Sequence, residues 1–342
     1  MKLLAWITPL LLGIGSIPAV NYYYQSSWGE GCAKCHEIRG NRDSWHSASH
    51  RKINCTSCHA SSLAGNLRRA YVHALYTPAE RIHLRTEDIS QVLDRCRGCH
   101  SQEFARWKSG PHSSTYARFL TNKDHNTKRL LMDDCFRCHG MHFSGAIQDA
   151  VQPVSTTGPW SISTKSLANE PAIPCLGCHA VHRDGAPLDK PEQRLGRTQE
   201  VIRPSVAFFD RRTQMNIPAA LLPVPPMLDG ARPVKMSPDQ RQALCYQCHA
   251  PLSTMQVATG DDRTPIGVHE GLSCMSCHEK HGQDTRASCA TCHPRLSNCG
   301  RDVEKMDTTF ASRTSKHDIH RVKCADCHPN GVPPKHLERA SR

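Results

Sequence analysis

The sequence predicts a mostly irregular chain with short α-helices and little β-structure, its core formed by stacked bound groups. Three observations carry this. Of 19 cysteines in 342 residues, 18 fall into nine copies of Cys-x-x-Cys-His, where the Cys and His frequencies would supply about 0.07 copies by chance of a motif that reads as haem c attachment. Only 38% of residues are hydrophobic and 6% aromatic, thin for a chain that must bury a sizeable core. Haem supplies the missing apolar bulk: 342 residues shared among nine haems leave about 38 for each, enough for short helices wrapped round a stack of macrocycles.

The motifs are Cys32-Cys35-His36, Cys55-Cys58-His59, Cys96-Cys99-His100, Cys135-Cys138-His139, Cys175-Cys178-His179, Cys245-Cys248-His249, Cys274-Cys277-His278, Cys289-Cys292-His293 and Cys324-Cys327-His328. The spacing has a mechanical reason. Two cysteines three apart on one helical turn reach the two vinyl groups of one porphyrin, and the next imidazole lies beneath the iron as proximal ligand. Zinc sites would not require a His after every second Cys, and disulfides would not use that His at all. The expected cofactor is therefore nine covalently attached haems c with their iron, the architecture of a multihaem cytochrome c.

Residues 1–24 are expected to be a signal sequence or an N-terminal membrane anchor, because haem c is attached outside the cytoplasm. Lys2 gives a positive start and Leu3 to Gly29 carry no charge. A signal peptide would be cut near Ile17-Pro18-Ala19; an anchor, the preferred reading, would extend to the interfacial aromatics Tyr22, Tyr23, Tyr24 and Trp28. A five-haem half follows over 25–184. Residues 185–240 form a haem-free interval with nine prolines between Pro187 and Pro238, expected either as an extended strap over the haems or as a linker. A four-haem half occupies 241–342. One internal repeat stands out beyond the motifs: Trp45 precedes His50, and Trp107 precedes His112, each by five residues and each after a haem motif.

The sixth coordination position decides function, since a second strong ligand makes a haem an electron carrier and an open position makes it a possible catalyst. With 22 histidines, nine proximal ligands leave enough for every distal position. His142, His182 and His281 each sit three residues after a proximal His, where a helical turn would hold the ring off one haem and aim it at a neighbour. His50 and His269 sit five residues before a motif, His320 four before Cys324 with His317 a turn upstream, and His112 belongs to the tryptophan repeat. These eight are the expected distal ligands; His46, His73, His83, His125 and His336 complete the pool. Met141, Met306 and the unpaired Cys299 read as packing residues before ligands.

The formal charge of +12 does not imply nucleic acid. Nine haems bring about −18 in ionised propionates, and the Lys and Arg side chains read as their partners. No His-Glu-x-x-His, phosphate loop or nucleophile motif is present, and every attachment motif ends in His, so no catalytic residue is assigned.

The N-terminal segment, with its apolar run, Cys32-Ala-Lys-Cys35-His36-Glu, then Ser49-His50 and the closely following Cys55-x-x-Cys58-His59, resembles the NapC/NrfH family of membrane-anchored quinol-oxidising cytochromes. That resemblance implies a first haem at the membrane surface taking electrons from quinol. Cys135-x-x-Cys138-His139-x-x-His142 and Cys274-x-x-Cys277-His278-x-x-His281-Gly are similar to the MtrA/DmsE type of periplasmic multihaem conduit. The expected function is electron transfer along nine haems on the periplasmic side of the cytoplasmic membrane, from the quinone pool or a membrane complex to a periplasmic or outer-membrane redox partner. Two alternatives remain: a nitrogen- or sulfur-oxyanion reductase with one five-coordinate haem, and a homo-oligomeric extracellular cytochrome filament.

Overall fold

The computed structural model describes residues 15–59, 63–76, 84, 86–182, 202, 205–250, 261–282, 289, 291–293, 296–297, 300–302, 305–312 and 314–331. Leu3 to Ile14 of the expected anchor, His83, Cys299 and His336 lie outside them. The fold class is the expected one, short helices and irregular segments with little sheet. Helices are α1 (15–26), α2 (His36–Ser47), α3 (Cys55–Cys58), α4 (Leu63–Leu75), α5 (Thr86–Cys99), α6 (Ser101–Ser109), α7 (Tyr116–Leu120), α8 (Lys123–Asn126), α9 (Ile147–Ala150), α10 (Gln242–Cys245) and α11 (Cys324–Cys327). Many are a single turn, as expected where a helix needs only to present one motif. Among the described residues no helix is long and apolar enough to cross a membrane.

Strand appears as three two-stranded antiparallel ladders: β1 (Val151–Gln152) with β2 (Ser161–Ile162), β3 (Ala207–Asp210) with β4 (Met215–Pro218), and β5 (Leu228–Asp229) with β6 (Arg232–Pro233). In the β3–β4 hairpin Phe208 pairs with Ile217 and Phe209 with Asn216. All four β3 residues are buried, so this strand faces protein on both sides.

Side-chain packing forms three small clusters among the described residues. Tyr116, Leu120, Phe136, Phe143 and Ile147 make the first, beside the fourth motif. Phe208, Phe209 and Leu222 of the haem-free interval pack on Met141 and Ala243, between the fourth and sixth motifs. Met227 and Val234 of the same interval pack on Tyr246 and Ala250, flanking the sixth motif. Arginines tie the first two clusters together: Arg211 lies over the Phe136 ring, its carbon 5.0 Å from the centroid, and Arg137 over Phe208 at 5.2 Å.

The three Cys-x-x-Cys-His-x-x-His segments differ from the expected helical turn. Their 3-10 turns end at Arg137, Gly177 and Ser276, before the motif histidine. Gly140, at φ +129°, takes the chain out of the helical region after His139. His179 forms a β-bridge with Val206, and Ala180 donates its amide to the Ser205 carbonyl at 2.9 Å.

Candidate haem centre

Each motif is presented by one turn of backbone. In the second to ninth motifs the amide of the motif histidine donates to the carbonyl of the first cysteine, at 2.7–2.9 Å in all eight. That α-type turn sets both sulfurs and the imidazole on one side of the chain. Local capping supports it: Asn54 accepts from the Thr56 amide and Ser273 from the Met275 amide. The first motif is built otherwise. Cys32–Lys34 forms a 3-10 turn, Cys35 is extended (φ −79°, ψ 127°), and His36 opens α2.

All eighteen motif cysteines line one continuous hollow of about 4420 Å³. Shared among nine motifs it provides about 490 Å³ apiece, within the size range of a cofactor pocket. None of these cysteines is in a disulfide. The hollow is also lined by His50, His73, His112, His125, His142, His182, His269, His281 and His320, but not by His46 or His317.

Five histidine pairs meet across this space. Ring centroids are 6.2 Å apart for His50 and His100, 5.8 Å for His59 and His182, and 6.1 Å for His112 and His249. They are 5.9 Å apart for His179 and His281, and 6.0 Å for His278 and His320. Two imidazoles sharing one metal, each nitrogen about 2 Å from it, place their centroids about 6 Å apart. Ordinary aromatic contacts also occur at such separations, so the distances alone decide little. The pairing decides more: each of the five joins one motif histidine to one histidine outside the motifs.

The rings are also held in a common way. His125, His182, His249, His269, His317 and His320 each hydrogen-bond through Nδ1, leaving Nε2 as the second ring nitrogen. Partners are Asn126 Oδ1 at 3.2 Å, the Asn41 carbonyl at 3.0 Å and Asp261 Oδ2 at 2.7 Å. The others are the Ile319 carbonyl at 3.3 Å, the Asp307 carbonyl at 2.9 Å and Asp318 Oδ1 at 2.9 Å. Anchoring one nitrogen to an oxygen is how proteins orient an imidazole toward a metal at the other. Burial lowers the pKa of His50, His112, His179, His269, His278 and His281, and takes His139 and His142 down to about 4. These rings are therefore neutral at pH 7, the form that can donate to iron. His142 Nε2 is buried without a hydrogen-bond partner, an orphan that a metal would satisfy. The residues present thus fit covalently held haem.

The tryptophan repeat has a structural role. Trp45 Nε1 donates to the carbonyls of His50 and Ile53, at 2.9 and 3.0 Å, and Trp107 Nε1 to that of Ile173 at 3.2 Å. In both units a helix follows the proximal histidine, ends at a buried indole, and is succeeded by a histidine paired with another motif. His269 lies near enough to His293 for the two to influence each other's charge, as does His125 to His139. His125 sits on α8 with Asn122 accepting from its amide, a placement with no fixed offset from any motif.

Motifs are not stacked in chain order. Arg137 inside the fourth motif donates to the Gln247 carbonyl at 3.2 Å and to its Oε1 at 2.9 Å inside the sixth. Helix α10, ending at Cys245, packs on the turn Cys274–Ser276 that opens the seventh motif. Cys58 neighbours Cys99, and Cys96 neighbours Cys175.

Two family models match parts of this chain. Residues 95–180 are similar to cytochrome c554 and c-prime, and residues 232–294 to cytochrome c7 and related cytochrome c. The first span holds the third to fifth motifs, the second the sixth to eighth. No curated protein and no solved structure matches the chain. The two matches, which together hold the third to eighth motifs, support a multihaem c-type cytochrome that holds its haem covalently and transfers electrons.

Proposed function

We propose that the chain carries nine haems c and conducts electrons between a membrane donor and a periplasmic or outer-membrane redox protein. The observation that carries this is the set of five one-to-one histidine pairs, which would give two imidazole ligands to the haems of His59, His100, His179, His249 and His278. Bound haem supplies a reversible one-electron iron couple. The cysteines would tether it, the paired histidines would ligate its iron, and the Nδ1 anchors of His182, His249 and His320 would orient their rings. His269 is the candidate for the haem of His293 and His125 for that of His139. His142 takes a further distal position.

The membrane side is assigned to the N-terminus. Tyr22 and Trp28 are exposed beside the uncharged run from Leu3, as suits an interfacial belt. Helix α4 stands next to it, Asn66 Nδ2 donating to Asn21 Oδ1 at 3.3 Å. Leu67, Tyr71 and Leu75, four apart on one face of α4, are 54, 58 and 61% exposed, an apolar stripe suited to a lipid surface. Quinol or a membrane complex is the donor in this reading. The intact mass and the electron paramagnetic resonance spectrum of the oxidised holoprotein test it. Nine attached haems with low-spin signals are expected, and a chain carrying far fewer, or a dominant high-spin signal, overturns it. Retention in membranes after a high-salt wash tests the anchor separately.

A further inference from the structure

Two loops face each other beside the sixth and seventh motifs, 261–264 and 318–321, and the charges between them form a line. His249 Nδ1 is 2.7 Å from Asp261 Oδ2. Asp261 Oδ1 accepts from Arg263 Nε at 2.6 Å, and a second Arg263 nitrogen lies 3.8 Å from Asp318 Oδ2. Asp318 Oδ1 is 2.9 Å from His320 Nδ1. A second tie holds the loops in place, Arg321 donating to the Asp262 carbonyl at 2.9 Å and pairing with its carboxylate at 3.1 Å. At one end stands the proximal histidine of the sixth motif. At the other stands the partner of His278, the proximal histidine of the seventh.

A carboxylate on the Nδ1–H of an axial imidazole makes that ring a stronger donor and so favours the more oxidised metal. A guanidinium shared by two such carboxylates draws on both and moderates both effects. His125, His182 and His269 rest instead on uncharged oxygens, so this arrangement distinguishes the sixth and seventh motifs from theirs. We propose that Arg263, by holding Asp261 and Asp318 together, sets the reduction potentials of the haems at the sixth and seventh motifs as a pair. Arg263 acts here as a positioning residue, and the proposal rests on the axial roles assigned above to His249 and His320.

The test is a redox titration of the holoprotein followed by electron paramagnetic resonance, in Arg263→Gln, Asp261→Asn and Asp318→Asn variants. With Arg263→Gln two midpoints are expected to fall together. With Asp261→Asn one midpoint rises, and with Asp318→Asn a different one rises. Movement of no midpoint, or of a single one, in an Arg263→Gln protein that keeps its full haem complement overturns the proposal. Should that variant lose haem, the two Asn variants carry the test: the same haem moved by both, or none moved by either, overturns it. His320→Ala serves as the control on the premise. A new high-spin signal is expected from it, and its absence would overturn the ligand assignment itself, whatever Arg263 does.

Discussion

His112 shows how much rests on single side chains. It lies 6.1 Å from His249, burial keeps its ring neutral, and its position is set by the turn after Trp107. Replacing it with Ala is expected to leave nine haems on the chain by mass while opening one axial position, seen as a new high-spin signal; His112→Met should keep that haem low-spin and raise its potential. Gly267 governs the neighbouring seam. Its φ of +70° is strained for any side chain, and a Cβ there would collide with the Val322 carbonyl oxygen. The amides of Ile266 and Val268 donate to the carbonyls of His320 and Val322 at 2.7 and 3.1 Å, so spreading this seam would move His320 away from His278. Gly267→Ala should cost about 1–3 kcal/mol in thermal unfolding and broaden the low-spin spectrum. At this scale much was legible in the sequence. The ring partners of five motif histidines stood at recurring offsets or in the tryptophan repeat, because a ring close in sequence to one motif is positioned by the turn that holds it. His125 was less so, since its orientation comes from Asn126, a fully buried amide that donates to the Leu120 carbonyl at 2.8 Å, and no spacing announces that.

Among elements, the interval 185–240 is pinned by charge to the segments leading into the seventh and last motifs. Lys323 Nζ sits 3.1 Å from Asp229 Oδ2, and Arg232 on the facing strand reaches both carboxylate oxygens of Glu270 at 2.7 Å. Lys323 first, then Arg232, holds the Asp229 carboxyl below the usual carboxylate range. A depressed pKa stabilises the fold above the unfolded value of about 3.9, and that contribution vanishes as pH falls through the folded value. Asp229→Asn should therefore lower the melting temperature at neutral pH slightly and flatten its fall below about pH 4. Added salt should shrink the difference, because the pair is exposed. The proline content pointed to extended chain in this interval but gave no register. Phe208 and Phe209 pack on Met141 and Ala243, far away in sequence, and such contacts leave no periodic trace. The segment after His139 misled for a different reason: Gly140, at φ +129°, turns the chain where a three-residue spacing suggested continued helix.

The arrangement of the whole molecule gives its motifs unequal weight. The sixth is joined to the fourth through Arg137 and Gln247 and to the seventh by the packing of α10 on the turn that opens at Cys274. Cys245→Ser with Cys248→Ser is expected to expose the surrounding chain to proteolysis. This order was not visible in the motif spacing, because Arg137 and Gln247 are brought together by the fold rather than by proximity along the chain.

The continuous hollow bears on how such a molecule comes into being. In the proposed holoprotein most of the lining of that space packs on haem rather than on the three small side-chain clusters, so folding and covalent loading are expected to be coupled. Cells lacking the machinery that ligates haem should accumulate no colourless, folded precursor at all, only fragments.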